Sequence, residues 1–93
     1  MREEVKKFAE EMEKVLHEND NKGGWKDCNI TYLYNSLNTE IEGLKYLIES
    51  KLIDKIDQFN SVQNYAKNIQ KELIDIANYC MMIHERLDDK IFV

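Results

Sequence analysis

No proline and only three glycines occur in this chain, and two of the glycines are adjacent at Gly23 and Gly24. A many-stranded sandwich or barrel needs turn-forming residues at short, regular intervals. Their scarcity excludes an all-β fold and leaves long helices with few breaks. The apolar positions agree. Val5, Phe8, Ala9, Met12, Val15 and Leu16 recur at steps of three and four, the spacing of one face of an amphipathic helix, and predict a first helix over about residues 2–18. Glu3 and Glu4 suit its positive N-terminal end. The helix runs out in Asn19-Asp20-Asn21-Lys22-Gly23-Gly24, a loop of polar turn formers.

Asn29 can cap a second helix over about residues 30–50, with an inner stripe of Ile30, Leu33, Leu37, Leu44 and Ile48 widened by Ile41 and Leu47. Residues 51–61 alternate apolar and charged side chains without a settled period, as a short extra turn of helix or an ordered connection would, and read as a connector. From Val62 the stripe resumes through Tyr65, Ala66, Ile69, Leu73, Ile76, Cys80, Ile83 and Leu87, predicting a third helix over about 61–88. The fold class is all-α, in one domain over residues 1–93. No internal repeat or low-complexity tract interrupts it.

A chain this short buries only roughly 60–65% of its unfolded surface, so its core is thin. Three amphipathic helices are one short of a four-helix bundle, and a second copy is the economical source of the missing wall. A homo-oligomer, dimer or tetramer, is expected. The apolar tail Ile91-Phe92-Val93 fits such an interface or a fold-back onto its own bundle. The net charge of −5 has the wrong sign for a domain that neutralises nucleic-acid phosphates, so no long nucleic acid is expected as partner. The longest unbroken apolar run is Tyr79 to Ile83, far too short to span a membrane. A cytoplasmic protein of a bacterial cell or phage-infected host is expected, with Cys28 and Cys80 as thiols outside any metal or redox motif.

The second and third helices carry acids inside their apolar stripes. Glu40 falls three after Leu37 and four before Leu44; Glu72 falls three after Ile69 and four before Ile76, and Asp75 follows one turn later. An inward carboxylate is relieved by a Lys or Arg partner, by protonation, or by a hard cation. Pairing at the stripe border with Lys45, Lys67 or Lys71 is the ordinary outcome. Convergence from two helices instead makes Glu40, Glu72 and Asp75 candidate metal ligands, since Mg2+ takes oxygen donors and leaves positions for phosphate oxygens.

The stretch Lys22-Gly23-Gly24-Trp25, then Leu33 through Leu37 leading to Glu40, then Lys71-Glu72-Leu73-Ile74-Asp75-Ile76-Ala77-Asn78-Tyr79-Cys80-Met81-Met82-Ile83, resembles the small MazG-like nucleotide pyrophosphohydrolases of bacteria and phages. The resemblance runs from the first helix to about Arg86. It implies an all-α, oligomeric protein, here a three-helix protomer completing a four-helix-type bundle by oligomerisation. It also implies magnesium-dependent splitting of nucleoside triphosphates into monophosphate and pyrophosphate. The family signature is Glu-x-x-Glu on one helix and Glu-x-x-Asp on the next. Glu40 matches the first acid, and Glu72 and Asp75 match the second pair, but Gly43 stands where the family has its second Glu. Glu42 cannot substitute, because it lies roughly 200° around the helix from Glu40.

Three acids can still hold one Mg2+ under a polyphosphate, whereas in-line hydrolysis is usually served by two metals, or by a metal and a base. The expected function is binding or sequestration of a nucleotide or nucleotide-derived signal by a catalytically impaired relative, a role that suits a phage countering host defence. A working pyrophosphohydrolase is the alternative, and a helical assembly module without ligand a third. Lys22, Trp25 and Lys26 flank the glycine pair, where backbone N–H groups can meet phosphate and the indole can stack on a base. Trp25 can equally be a packing plug between helices. Asn78, one turn after Asp75 on the same face, is a further ligand contact or a structural helix residue. His17 and His84 are solitary border residues, and Met81 and Met82 read as core or interface filler.

Overall fold

The computed structural model describes residues 1–22, 24–53 and 59–88, with side chains over 1–21, 24–50 and 65–88. Three α-helices, α1 (Glu3–Glu18), α2 (Ile30–Ile53) and α3 (Phe59–Asp88), account for nearly all of it, with one turn of 3-10 helix at Asp20–Lys22. No strand occurs among the described residues. The first helix starts one residue later than its periodicity suggests and ends as expected. Asn19 closes it, its Nδ2 donating to the Val15 carbonyl at 2.9 Å and its backbone N–H to Leu16 at 3.1 Å. The chain then turns through Gly24, whose φ of 72° lies in the left-handed region that favours glycine.

Asn29 caps α2 as expected, its Oδ1 accepting the Tyr32 N–H at 2.7 Å. The second and third helices are longer than expected. Residues 51–53 continue α2 and 59–61 already belong to α3, so the connector read over 51–61 is corrected to at most residues 54–58, which lie outside the described residues. Lys, Leu, Ile, Phe, Asn and Ser at the two ends include no breaker, and helix propagation adds one hydrogen bond per residue without regard to which face is apolar. The tail Ile91-Phe92-Val93 also lies outside the described residues.

The third helix is the middle of the molecule. It packs most extensively along α2 and more sparsely along α1, and among the described residues the backbones of α1 and α2 do not approach one another closely. The chain's radius of gyration of 15.8 Å exceeds the about 12 Å of a compact domain of this length. Among the described residues, only Leu33 and Ile74 are buried hydrophobics, at 1% and 8% exposure. Nothing in α1 is buried.

The face of α3 that turns inward differs from the expected one. Ile74 and Asn78 are its buried positions, whereas Leu73, Cys80 and Leu87, placed inside by periodicity, are exposed. On α2, Ile48 is likewise half exposed. Because α3 meets helices on two sides, its inward surface runs from one edge of the stripe, at Ile69, Ile76 and Ile83, round to Ile74 and Asn78, beside α1. No described helix is long and apolar enough to cross a membrane.

Candidate functional site

A cavity of about 540 Å³ opens over α3 in the cleft between α1 and α2. Val15 and Leu16 of α1, Leu33 and Glu40 of α2, and Asp75, Asn78, Tyr79 and Met82 of α3 contribute to its walls, and Trp25 and Cys28 of the intervening loop close one side. Helical spacing explains the α3 contribution: Asp75, Asn78 and Met82 follow one another at steps of three and four. The loop is tied to the helix that it faces, since the Arg86 guanidinium donates through Nη1 to the Lys26 carbonyl oxygen.

Glu40 and Asp75 line the cavity, and Glu72, which is not among its lining residues, lies against them. Oxygen atoms of Glu40, Glu72 and Asp75 lie within 4.8 Å of one another, all three side chains being partly buried. The three acids singled out from sequence thus converge from two helices. Asp75 Oδ2 accepts from Lys71 Nζ at 3.0 Å, so the ordinary pairing holds for that acid; this bond and the carboxylate charge raise the lysine's pKa. Lys45 turns away to Glu42, at 3.5 Å. Neither lysine reaches Glu72, whose Oε2 is buried without a hydrogen-bond donor.

Glu40 is the group that yields. Its pKa is raised from 4.5 to about 7, first by a hydrogen bond shared with the Glu72 carboxyl, then by burial and by the charges of Glu72 and Asp75, with Lys71 pulling the other way. A proton between the two carboxyl groups and a hard cation are alternative ways of relieving the same crowding. The donor set fits such a cation: three carboxylates, no sulfur, no imidazole, and a buried oxygen lacking a partner.

Gly43 belongs to this geometry. A Cβ built on it would lie 3.3 Å from Glu72 Oε2, 3.4 Å from its Cδ and 3.5 Å from its Oε1. The Glu72 carboxylate therefore rests against the bare backbone of α2, in the space a side chain at 43 would enter.

The other sequence candidates divide. Trp25 and Asn78 line the cavity. Lys26 is exposed and is not among the lining residues; its carbonyl oxygen accepts from Arg86. The Lys22 side chain lies outside the described residues. His17 and His84 are exposed beside Asp20 and Asp88, at 3.6 Å and 3.7 Å, and Cys28 and Cys80 are free thiols, Cys80 exposed rather than in the core. Sequence reasoning missed Tyr79 and Arg86. Tyr79 carried a usable signal, because it is four residues after Asp75 and three before Met82; burial raises its phenol pKa, partly offset by a hydrogen bond with Ser36. Arg86 carried none, since its partner is 60 positions away. Comparisons with protein-family models, curated proteins and solved structures find no match to this chain.

Proposed function

We propose that this protein binds a nucleotide in the cavity between its helices, with the phosphates at the Glu40, Glu72 and Asp75 end and a divalent cation, Mg2+, between acids and phosphates, and that it holds the nucleotide rather than turning it over. The observation that carries the reading is the convergence of three carboxylates around a buried, unpartnered Glu72 oxygen. When bound, Mg2+ supplies neutralising charge to phosphate oxygens. The chain's own groups do the rest. Lys71 fixes Asp75, Glu40, Glu72 and Asp75 would hold the cation as carboxylates, and Trp25 offers an aromatic wall of the kind on which bases stack. Retention over hydrolysis rests on Gly43, which leaves the acidic end one carboxylate short of the MazG-like pattern.

A second reading, magnesium-dependent cleavage of a nucleoside triphosphate to monophosphate and pyrophosphate, is favoured by Glu40. A carboxyl group titrating near 7 is matched to proton transfer at neutral pH.

The homo-oligomer expected from sequence is part of the proposal. Ala66, Leu73, Cys80 and Leu87 recur every seven residues on α3 and are all exposed, while the interleaved Ile69, Ile76 and Ile83 are half-buried. That is the spacing of a helix seam awaiting another helix. Val5 and Phe8 of α1 are also exposed, at 51% and 42%.

Calorimetric titration with nucleoside triphosphates, with and without Mg2+, tests the reading. Binding should tighten at least tenfold with Mg2+, about 1.4 kcal/mol, and Glu72→Gln and Asp75→Asn should each erase most of that dependence while circular dichroism stays unchanged. Wild-type protein that binds no nucleotide, or variants that bind as wild type does, would refute it.

A further inference from the structure

The side of α2 and α3 that turns away from the cavity is apolar and uncovered. Contacts running from Leu47 with Tyr65, through Gly43 with Glu72, to Ser36 with Tyr79 make the two helices antiparallel. Ile41 and Ile48 lie roughly 160–180° around α2 from Tyr32, which lines the cavity, and Leu73 and Cys80 lie roughly 200° around α3 from Asp75 and Met82, which also line it. Both rows therefore stand on one side of the pair, with the half-buried Leu44 and Ile76 between them. Ile48, Leu73 and Cys80 are exposed, the first two at 50% and 40%. The charged residues of α3 between Ala66 and Ile83 are Lys67, Lys71, Glu72 and Asp75, and each stands roughly 100° or more around the helix from Leu73. No charge interrupts the strip.

The exposed area says that something covers this face. The chain exposes 7746 Å², whereas a compact monomer of 11.1 kDa exposes about 5,700 Å². The surplus of about 2,000 Å² is more than the roughly 800 Å² that one partner gives to a stable interface. A second copy suits the face. Two antiparallel helix pairs laid face to face make the four helices of a closed bundle, and a strip without charges lets two chains of net charge −5 meet without opposing like charges.

The acids lie across the same helix pair. Glu40 comes from α2 and Glu72 and Asp75 from α3, so repulsion among the three carboxylates works to part the two helices. A divalent cation held by all three draws the helices together, and a second copy packed across both does the same. Two ligands that favour one arrangement raise each other's affinity by the same factor. We propose that a second copy of this chain packs on the α2–α3 face opposite the cavity, and that this assembly and cation binding at Glu40, Glu72 and Asp75 strengthen each other. The coupling deepens the proposed function and rests on its cation.

Sedimentation of the full chain over a dilution series, with Mg2+ as the added ligand, reads the coupling. Mg2+ should lower the dissociation constant of the assembly at least tenfold, within the range usual for coupled sites, and Asp75→Asn should assemble but lose that shift. Ile48→Lys and Leu73→Lys, at positions exposed in the single chain, should each weaken assembly at least tenfold and, by reciprocity, weaken Mg2+ binding in calorimetry without touching an acid. Where dilution does not part the copies, or a variant loses its helical circular dichroism, the urea midpoint of wild type is read instead. It should rise with protein concentration and rise further with Mg2+. Cys80, exposed in the single chain, should be alkylated at least ten times more slowly in the assembly than in the unfolded chain. A single-chain mass at every concentration overturns the proposal and leaves cation binding standing. Assembly unchanged by Mg2+ at concentrations where calorimetry shows it bound, alone or with ATP, overturns the coupling. A Cys80 in the assembly that reacts as fast as in the unfolded chain overturns the choice of face. Failure of Mg2+ to bind, alone or with ATP, overturns the cation reading and the coupling together.

Discussion

Filling the space at Gly43 separates what the glycine does for the helix from what it does for the acids. A methyl group placed there would stand 3.3 Å from Glu72 Oε2, a few tenths of an ångström inside ordinary contact. The atom it meets is the far end of a flexible side chain, which can swing aside. Alanine in a helix interior is favoured over glycine by about 1 kcal/mol. Gly43→Ala should therefore stabilise the protein by about 0.5–1 kcal/mol, a rise of roughly 2–8 °C in melting temperature for a chain of this size. Gly43→Glu adds a fourth carboxylate beside Glu40, Glu72 and Asp75. It should melt below Gly43→Ala without Mg2+ and recover most of the difference with it. If retention reflects the missing acid, Gly43→Glu should also release pyrophosphate from a nucleoside triphosphate at least ten times faster than wild type, about 1.4 kcal/mol of barrier. Thermal melts with and without Mg2+ and a pyrophosphate-release assay read all three effects. A Gly43→Ala protein that melts lower than wild type would mean that Glu72 is pinned and cannot yield. Wild-type turnover at ordinary enzymatic rates, with Gly43→Glu no faster, would establish hydrolysis and refute retention.

Glu40 gives stability a pH dependence of definite sign. Its folded pKa of about 7 lies above the ordinary 4.5, so the folded state holds the proton that the unfolded state releases. The contribution is complete below about 4.5 and is lost as pH rises to about 7. Denaturant titrations between pH 5 and 7.5 should show stability falling with pH in wild type and a flatter profile in Glu40→Gln; a wild-type profile that rises would contradict the shared proton. Removing the cap of α2 with Asn29→Ala deletes the 2.7 Å bond to Tyr32 N–H and should cost about 1 kcal/mol by urea denaturation, whereas a cost indistinguishable from zero would mean that water caps the helix equally well. Light scattering should give a mass above the 11.1 kDa of one chain, and Leu73→Glu, in the exposed heptad row of α3, should lower it; a monomeric wild type would remove the second copy from the proposal.

Features set by neighbours along the chain were legible in the sequence. Asn29 caps α2 because its side chain reaches an N–H three residues on, a relation contained in the spacing itself. Glu40, Glu72 and Asp75 converge because Glu40 stands within the α2 stripe and the two α3 acids, one turn apart, stand along one edge of the α3 stripe, on the side packed against α2. Helix ends were less legible. The alternation over 51–61 reads as a connector, yet helix covers 51–53 and 59–61: loss of amphipathic period removes a reason for burial, not a reason for backbone hydrogen bonding.

What periodicity leaves open on α3 is which half of a wide stripe turns inward. Ile69, Leu73, Ile76, Cys80, Ile83 and Leu87 satisfy a helix packed on its own chain and a helix packed on another copy equally well, because the spacing of three and four is the same in both. The choice is made by a residue that hydrophobicity would discard. Asn78 lies two positions from its nearest stripe members, Ile76 and Cys80, roughly 160–200° around the helix from them; it and Ile74, four residues before it, are both buried, and α1 passes close enough for Met12 to accept from the Asn78 amide. That contact spans 66 positions, and no local rule anticipates it. It turns the row Ala66, Leu73, Cys80 and Leu87 to the outside and aligns Asp75, Asn78 and Met82 along the cavity. One polar contact thus orients both the surface proposed for a second copy and the wall of the cavity.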